Sequence, residues 1–148
     1  MNPPSIPPAT CRHRLSHAGW PHLGATLGLL LGLLAPLAAQ AKPPSVTLAC
    51  GGIGEEESNP MLTDAANHAL TIIFAGSGGA YLSGVQTQVS GPPGVSAKDD
   101  SCGPIGQVDV SRAGRYTVQA TYAGKRQDKT LNLAPKGGGR LVLRWPED

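Results

Sequence analysis

Gly114-Arg-Tyr-Thr-Val-Gln-Ala-Thr-Tyr-Ala-Gly124 alternates with a period of two: Tyr116, Val118, Ala120 and Tyr122 fall on one side, and Thr117, Gln119 and Thr121 on the other. A strand with one buried and one wet face produces this pattern. The glycines at its two ends bound it. The segment predicts a small antiparallel β domain with this strand near its centre.

Working outward, other stretches repeat the theme. Ser45–Cys50 places Val46 and Leu48 on one face, and Ala69–Ala75 is nearly all apolar, as in a strand central in its sheet. Tyr81–Val89 reads as the next strand, in which Val85, Thr87 and Val89 alternate with Gln86 and Gln88. Val108 and Val110 alternate with Gln107 and Asp109, and Leu141, Leu143 and Trp145 with Arg140, Val142 and Arg144. Val95–Cys102 reads as a short edge strand and Thr130–Leu133 as a further one. Gly76–Gly79, Gly91-Pro92-Pro93-Gly94, Ser111–Gly114 and Pro135–Gly139 supply turn chemistry between them. The reading is all-β: a single antiparallel β-sandwich of about seven short strands. One short helix is expected near residues 58–67, capped by Ser58 or Asn59, with Pro60 in its first turn and Glu55, Glu56 and Glu57 matching its dipole.

The first 41 residues read as a signal peptide rather than as fold. Arg12, His13, Arg14 and His17 form a basic region, Leu23–Leu37 is leucine-rich, and Ala39-Gln40-Ala41 has the small-x-small form of a cleavage site ahead of Lys42. Glycines and Pro36 interrupt that apolar stretch, which is short for a membrane span. A lipid-anchored alternative at Cys50 fails because Lys42-Pro43-Pro44-Ser45 separates that cysteine from the apolar region. The expected mature domain is 42–148, exported to the periplasm. Its 107 residues suit one domain. Arg12 and Arg14 leave with the leader, so 10 of the 12 basic residues face 10 acidic ones. The near-neutral balance, with no aromatic-studded basic patch, excludes a nucleic-acid binder, and no amphipathic basic helix points to a membrane surface.

Cys11 also leaves, so Cys50 and Cys102 remain. Two cysteines in an oxidising compartment pair, and this bridge closes a loop of about 50 residues, worth about 3–4 kcal/mol on a loop-entropy model. A redox dithiol lacks C-x-x-C spacing, and a zinc tetrad lacks ligands because His68 is the one histidine left. His68 has no nucleophile elbow near it, so no serine-type triad assembles, and it reads as a polar residue at a strand entrance. Asp99-Asp100 and Glu147-Asp148 read as solvated charge, since neighbours on an extended chain face opposite ways. Gly137-Gly138-Gly139-Arg140 lacks the lysine and helix of a phosphate loop and reads as a hairpin turn. The triplet Glu55–Glu57 lacks calcium-loop spacing. No catalytic residue, cofactor or metal site is expected. Gln86, Gln88, Gln107, Gln119 and Gln127, with nearby threonines, offer a polar sheet face.

The blocks Gly51-Gly52-Ile53-Gly54-Glu55-Glu56-Glu57, Ile72–Ala75, Gly79–Val85, Gly103-Pro104, Ala113–Val118 and Leu143-Arg144-Trp145 span nearly the whole expected mature chain. In that order they resemble a family of small exported proteobacterial proteins described as carboxypeptidase regulatory-like domain proteins. The resemblance implies a prealbumin-like sandwich in the periplasm and brings no enzyme activity with it. In that family the positions of Cys50 and Cys102 are commonly not cysteines, which makes the disulfide a local feature. The functional expectation is a non-enzymatic binding or scaffolding role toward an envelope protein or peptide, with no stable membrane insertion after cleavage. The alternative is an accessory protein that binds a carbohydrate, a small molecule or a metal.

Overall fold

The computed structural model describes residues 41–146. Among them run β1 (Val46–Gly51), α1 (Glu55–Thr63), β2 (Leu70–Gly76), β3 (Val85–Ser90), β4 (Ser96–Cys102), β5 (Ile105–Val110), β6 (Gly114–Tyr122), β7 (Lys125–Leu133) and β8 (Gly139–Trp145). A 3-10 helix over Asp64–Asn67 extends α1. The strands form two four-stranded sheets, ordered β1-β5-β2-β8 and β4-β3-β6-β7. They face each other as a β-sandwich.

The alternation on β6 does what it predicts. Tyr116, Val118 and Ala120 are buried between the sheets, and β6 is an interior strand of the second sheet. Val85 and Val89 come from β3, and Ile72, Phe74, Leu143 and Trp145 meet them from the first sheet. Each large apolar side chain removed from water this way contributes about 1.5–3 kcal/mol. Every residue of β2 is buried because β2 is interior in its sheet. On its other face α1 packs over β1 and β5. The buried amide of Gln107 fixes that packing by donating to the Met61 carbonyl at 2.9 Å.

Four expectations need correction. The strands number eight among the described residues, against about seven expected, and β7 begins at Lys125 rather than Thr130. It is an edge strand whose charged residues alternate too weakly for periodicity to register. Its pairing with β6 runs from Tyr122↔Lys125 to Gly114↔Leu133. A two-residue turn, Ala123 (φ 46°) and Gly124 (φ 74°), sets that register.

The sandwich is also not wholly antiparallel. The Gly137–Gly139 segment is not a hairpin turn but a crossover from one sheet to the other, and β8 lies parallel to β2. Gly138 and Gly139 donate their N–H groups to the carbonyls of His68 and Ala69, which starts β8 beside the start of β2. Two strands that start side by side run the same way.

The helix starts earlier than expected, at Glu55, and neither Ser58 nor Asn59 caps it. Gly54 takes the cap position with φ 85°, and the Glu57 carboxylate accepts the Ile53 N–H at 3.0 Å. That contact reaches back one residue further than a capping box does. Pro60 therefore falls inside α1 rather than in its first turn.

The fourth correction concerns Tyr81, which precedes its strand. It makes one antiparallel bridge to Ala75, and β3 begins only after Gly84 (φ 75°).

The expected leader over residues 1–41 lies, but for its last residue, outside the described residues, as does the Glu147-Asp148 pair. Of the expected cleavage-site residues, Ala41 and Lys42 are exposed and belong to no element.

Candidate functional site

The four free edges of the sandwich differ in chemistry. On one side β1 and β4 lie against each other, and a disulfide joins Cys50 to Cys102 with 4.9 Å between Cα atoms. Strand β4 also carries the ion pair Lys98–Asp100 at 2.7 Å, and β7 carries Arg126–Asp128 at 2.9 Å. Such mixed, self-paired charge is how edge strands discourage unwanted pairing. Strand β8 is unlike them. Its charges, Arg140 and Arg144, are of one sign, and neither meets a carboxylate among the described residues.

The register aligns these arginines in cross-strand rows on the outer face of the first sheet. Arg140 neighbours Thr71, Val142 neighbours Ile73, and Arg144 neighbours Ala75. Tyr81 extends the last row through its bridge to Ala75, and Ile105 extends the middle one through Ile73. Helix α1 covers β1 and β5, and on the β2–β8 half of this face the outward residues of β8 are exposed while those of β2 lie buried at its floor. A groove of about 220 Å3 runs there over Ile73, Ala75 and Val142, walled by Tyr81 and the two guanidinium groups. Val142 is 39% exposed and Tyr81 55% exposed, although most large apolar side chains of the fold are buried. The site thus joins an unpaired strand edge, an apolar floor, one aromatic ring and two cations.

A second concavity of about 320 Å3 opens at one end of the sandwich, lined by Leu82, Tyr122, Trp145 and Pro146 with Gly76, Ala123 and Lys125. The Trp145 ring meets those of Tyr122 and Phe74 at centroid distances of 6.0 and 6.3 Å. Its indole N–H donates to the Lys125 carbonyl at 2.8 Å. That bond ties β8 to β7 across the sheets.

The glutamines read from the sequence do not act as one face. Gln86, Gln88 and Gln119 do share the outer face of the second sheet, beside Thr121, Lys98 and Arg126, where the surface is only shallowly concave. Gln107 is on the other sheet under α1, and Gln127 donates to the Arg144 carbonyl at 2.7 Å. No family model matches the chain. No curated protein matches it either.

His68 is more than a polar residue at a strand entrance. Its Nδ1 sits 3.0 Å from the Asp109 carboxylate and its Nε2 3.2 Å from that of Asp64. The ring thereby fastens the 3-10 helix to β5. The Asp64 carboxyl is held below the usual aspartate range, chiefly by the Asn67 side-chain amide, which outweighs an opposing effect of desolvation, and further by His68. Both ring nitrogens of His68 are thus taken up by carboxylate contacts. Among the described residues no group of three His, Cys, Asp or Glu side chains is placed to hold a metal ion, and no helix is long and apolar enough to cross a membrane.

Proposed function

We propose that this chain is an exported, non-catalytic β-sandwich of the periplasm that binds an envelope protein or peptide through the β8 edge and the groove beside it. The observation that carries this reading is the contrast among the edges. The others are stapled or carry self-paired charge, whereas β8 offers two arginines that meet no carboxylate among the described residues, around exposed Val142. Export is supported by the leader-like N-terminus and by a disulfide of the kind oxidising compartments permit. Engagement of both His68 nitrogens supports a role without turnover. The prealbumin-like, carboxypeptidase regulatory-like resemblance belongs to the same reading. Two four-stranded sheets with one short helix support it at the level of architecture.

The test is photocrosslinking in the producing cells, with a benzophenone side chain placed at Tyr81 or Val142 and, as a control, at Thr130 on the opposite outer face. A discrete adduct from positions 81 and 142 but not 130 is expected. Adducts that ignore position, or none, would reject the reading. The end cavity favours a second reading, an accessory protein that takes a small molecule beside Trp145. That reading predicts a ligand-dependent change in Trp145 fluorescence that leaves the 81 and 142 crosslinks unchanged.

A further inference from the structure

Resting on the binding role proposed above, we infer that the β8 edge takes an extended acidic segment of its partner, with two carboxylates four residues apart flanking an apolar residue, as a fifth strand of the first sheet. Among the described residues strand β8 pairs with β2 alone, so its other edge keeps backbone groups with no strand partner there. Such an edge is a template for strand addition, in which main-chain bonds give affinity and alternate side chains give specificity. Arg140, Val142 and Arg144 share the outer face. At about 3.3 Å per residue the two arginine Cα atoms lie about 13 Å apart.

A partner strand has the same period. Carboxylates at its positions i and i+4 therefore fall opposite Arg140 and Arg144 together, and the residue at i+2 falls opposite Val142. A register slip of one residue turns all three to the other face, so the spacing itself is selective. Strands pair about 4.8 Å apart, within reach of two-pronged arginine–carboxylate bonds, and directly opposed opposite charges stabilise the pair. The apolar residue at i+2 extends the apolar row of Val142 and Ile73 outward, on the side of β8 away from Tyr81. One feature limits the extent of the added strand. The Arg144 carbonyl already accepts the Gln127 amide. Main-chain pairing is therefore confined to Gly139–Val142, and Arg144 is engaged through its side chain.

The test uses the oxidised mature protein and a fluorescein-labelled heptapeptide, Thr-Glu-Thr-Val-Thr-Glu-Thr, followed by fluorescence anisotropy. Saturable binding is expected, weakened about tenfold or more by Arg140→Glu or Arg144→Glu and by Val142→Asp. The double variant R140E/R144E should bind instead the peptide with lysine in place of glutamate. All three positions are exposed, and thermal melts of the variants verify folding. Absence of binding, or equal binding by the wild type and R140E/R144E, overturns the inference. Equal binding of a glutamate-rich peptide without the spacing also overturns it. If the heptapeptide fails while the position-142 photoadduct still forms, the occupant is wrong and the site stands. If both fail, the binding reading falls with it.

Discussion

Cys50 on β1 and Cys102 on β4 join the two sheets along one side of the sandwich, 52 residues apart in sequence. Cys102 is wholly buried. On the opposite side the described links between the sheets are non-covalent: Trp145 bonds to Lys125, Gln127 bonds to Arg144, and the Trp145 and Tyr122 rings meet. The covalent seam therefore leaves β8 as the side on which the sandwich can accept a neighbour.

The bridge restricts the unfolded chain, so its removal should cost about 3–4 kcal/mol. Urea unfolding of C50A/C102A, and of the wild type in reductant, should show midpoints lowered alike. An unchanged midpoint would mean that the seam contributes nothing to stability.

Tyr116 ties the crossover from β5 to β6 by donating its hydroxyl to the Arg112 carbonyl at 2.9 Å, in the manner of a tyrosine corner. Tyr116→Phe should cost about 1 kcal/mol. The ring packs against Gly91, where an added Cβ would lie 2.4 Å from a ring carbon. Gly91→Ala should accordingly cost about 1–3 kcal/mol through overpacking, read from the same unfolding curves.

Trp145 is 2% exposed and bonded through its indole N–H. In a chain starting at Lys42 it is the sole tryptophan, so its emission reports the native core. It should shift to the red in one transition that coincides with the loss of circular dichroism. Trp145→Ala should cost about 3–5 kcal/mol.

The lowered pKa of Asp64 makes part of the stability depend on acid. Because the folded value lies below the unfolded one, the contribution is present above the usual aspartate range near 3.8 and is lost as pH falls through the folded value. Asp64→Asn should melt earlier than wild type at about pH 6, and the two should converge by about pH 2. A difference that persists in acid would assign the effect to something other than ionisation.

Strands with one buried face were legible because alternation survives in the side chains themselves, as in Tyr116-Val118-Ala120 and Leu141-Leu143-Trp145. The fully apolar β2 was legible as an interior strand. Residues 125–129 were not, because an edge strand places Lys125, Arg126 and Asp128 in water whatever their direction. The parallel entry of β8 was hidden because local turn chemistry at Gly137–Gly139 does not say which sheet receives the chain. The His68 clamp joins residues 41 apart, a distance no local pattern spans. The β8 edge left one usable trace, two arginines four apart on the last strand with no acidic residue between them. That they meet no carboxylate among the described residues needed the three-dimensional arrangement.

The proposed role requires an oxidised domain freed of its leader in the periplasm. The direct measurement is the intact mass of the protein recovered from periplasmic extract, with alkylation before and after reduction. A chain beginning at Lys42 that takes up two alkyl groups only after reduction is the result predicted. A mass that retains the leader, or thiols that react without reduction, would contradict it.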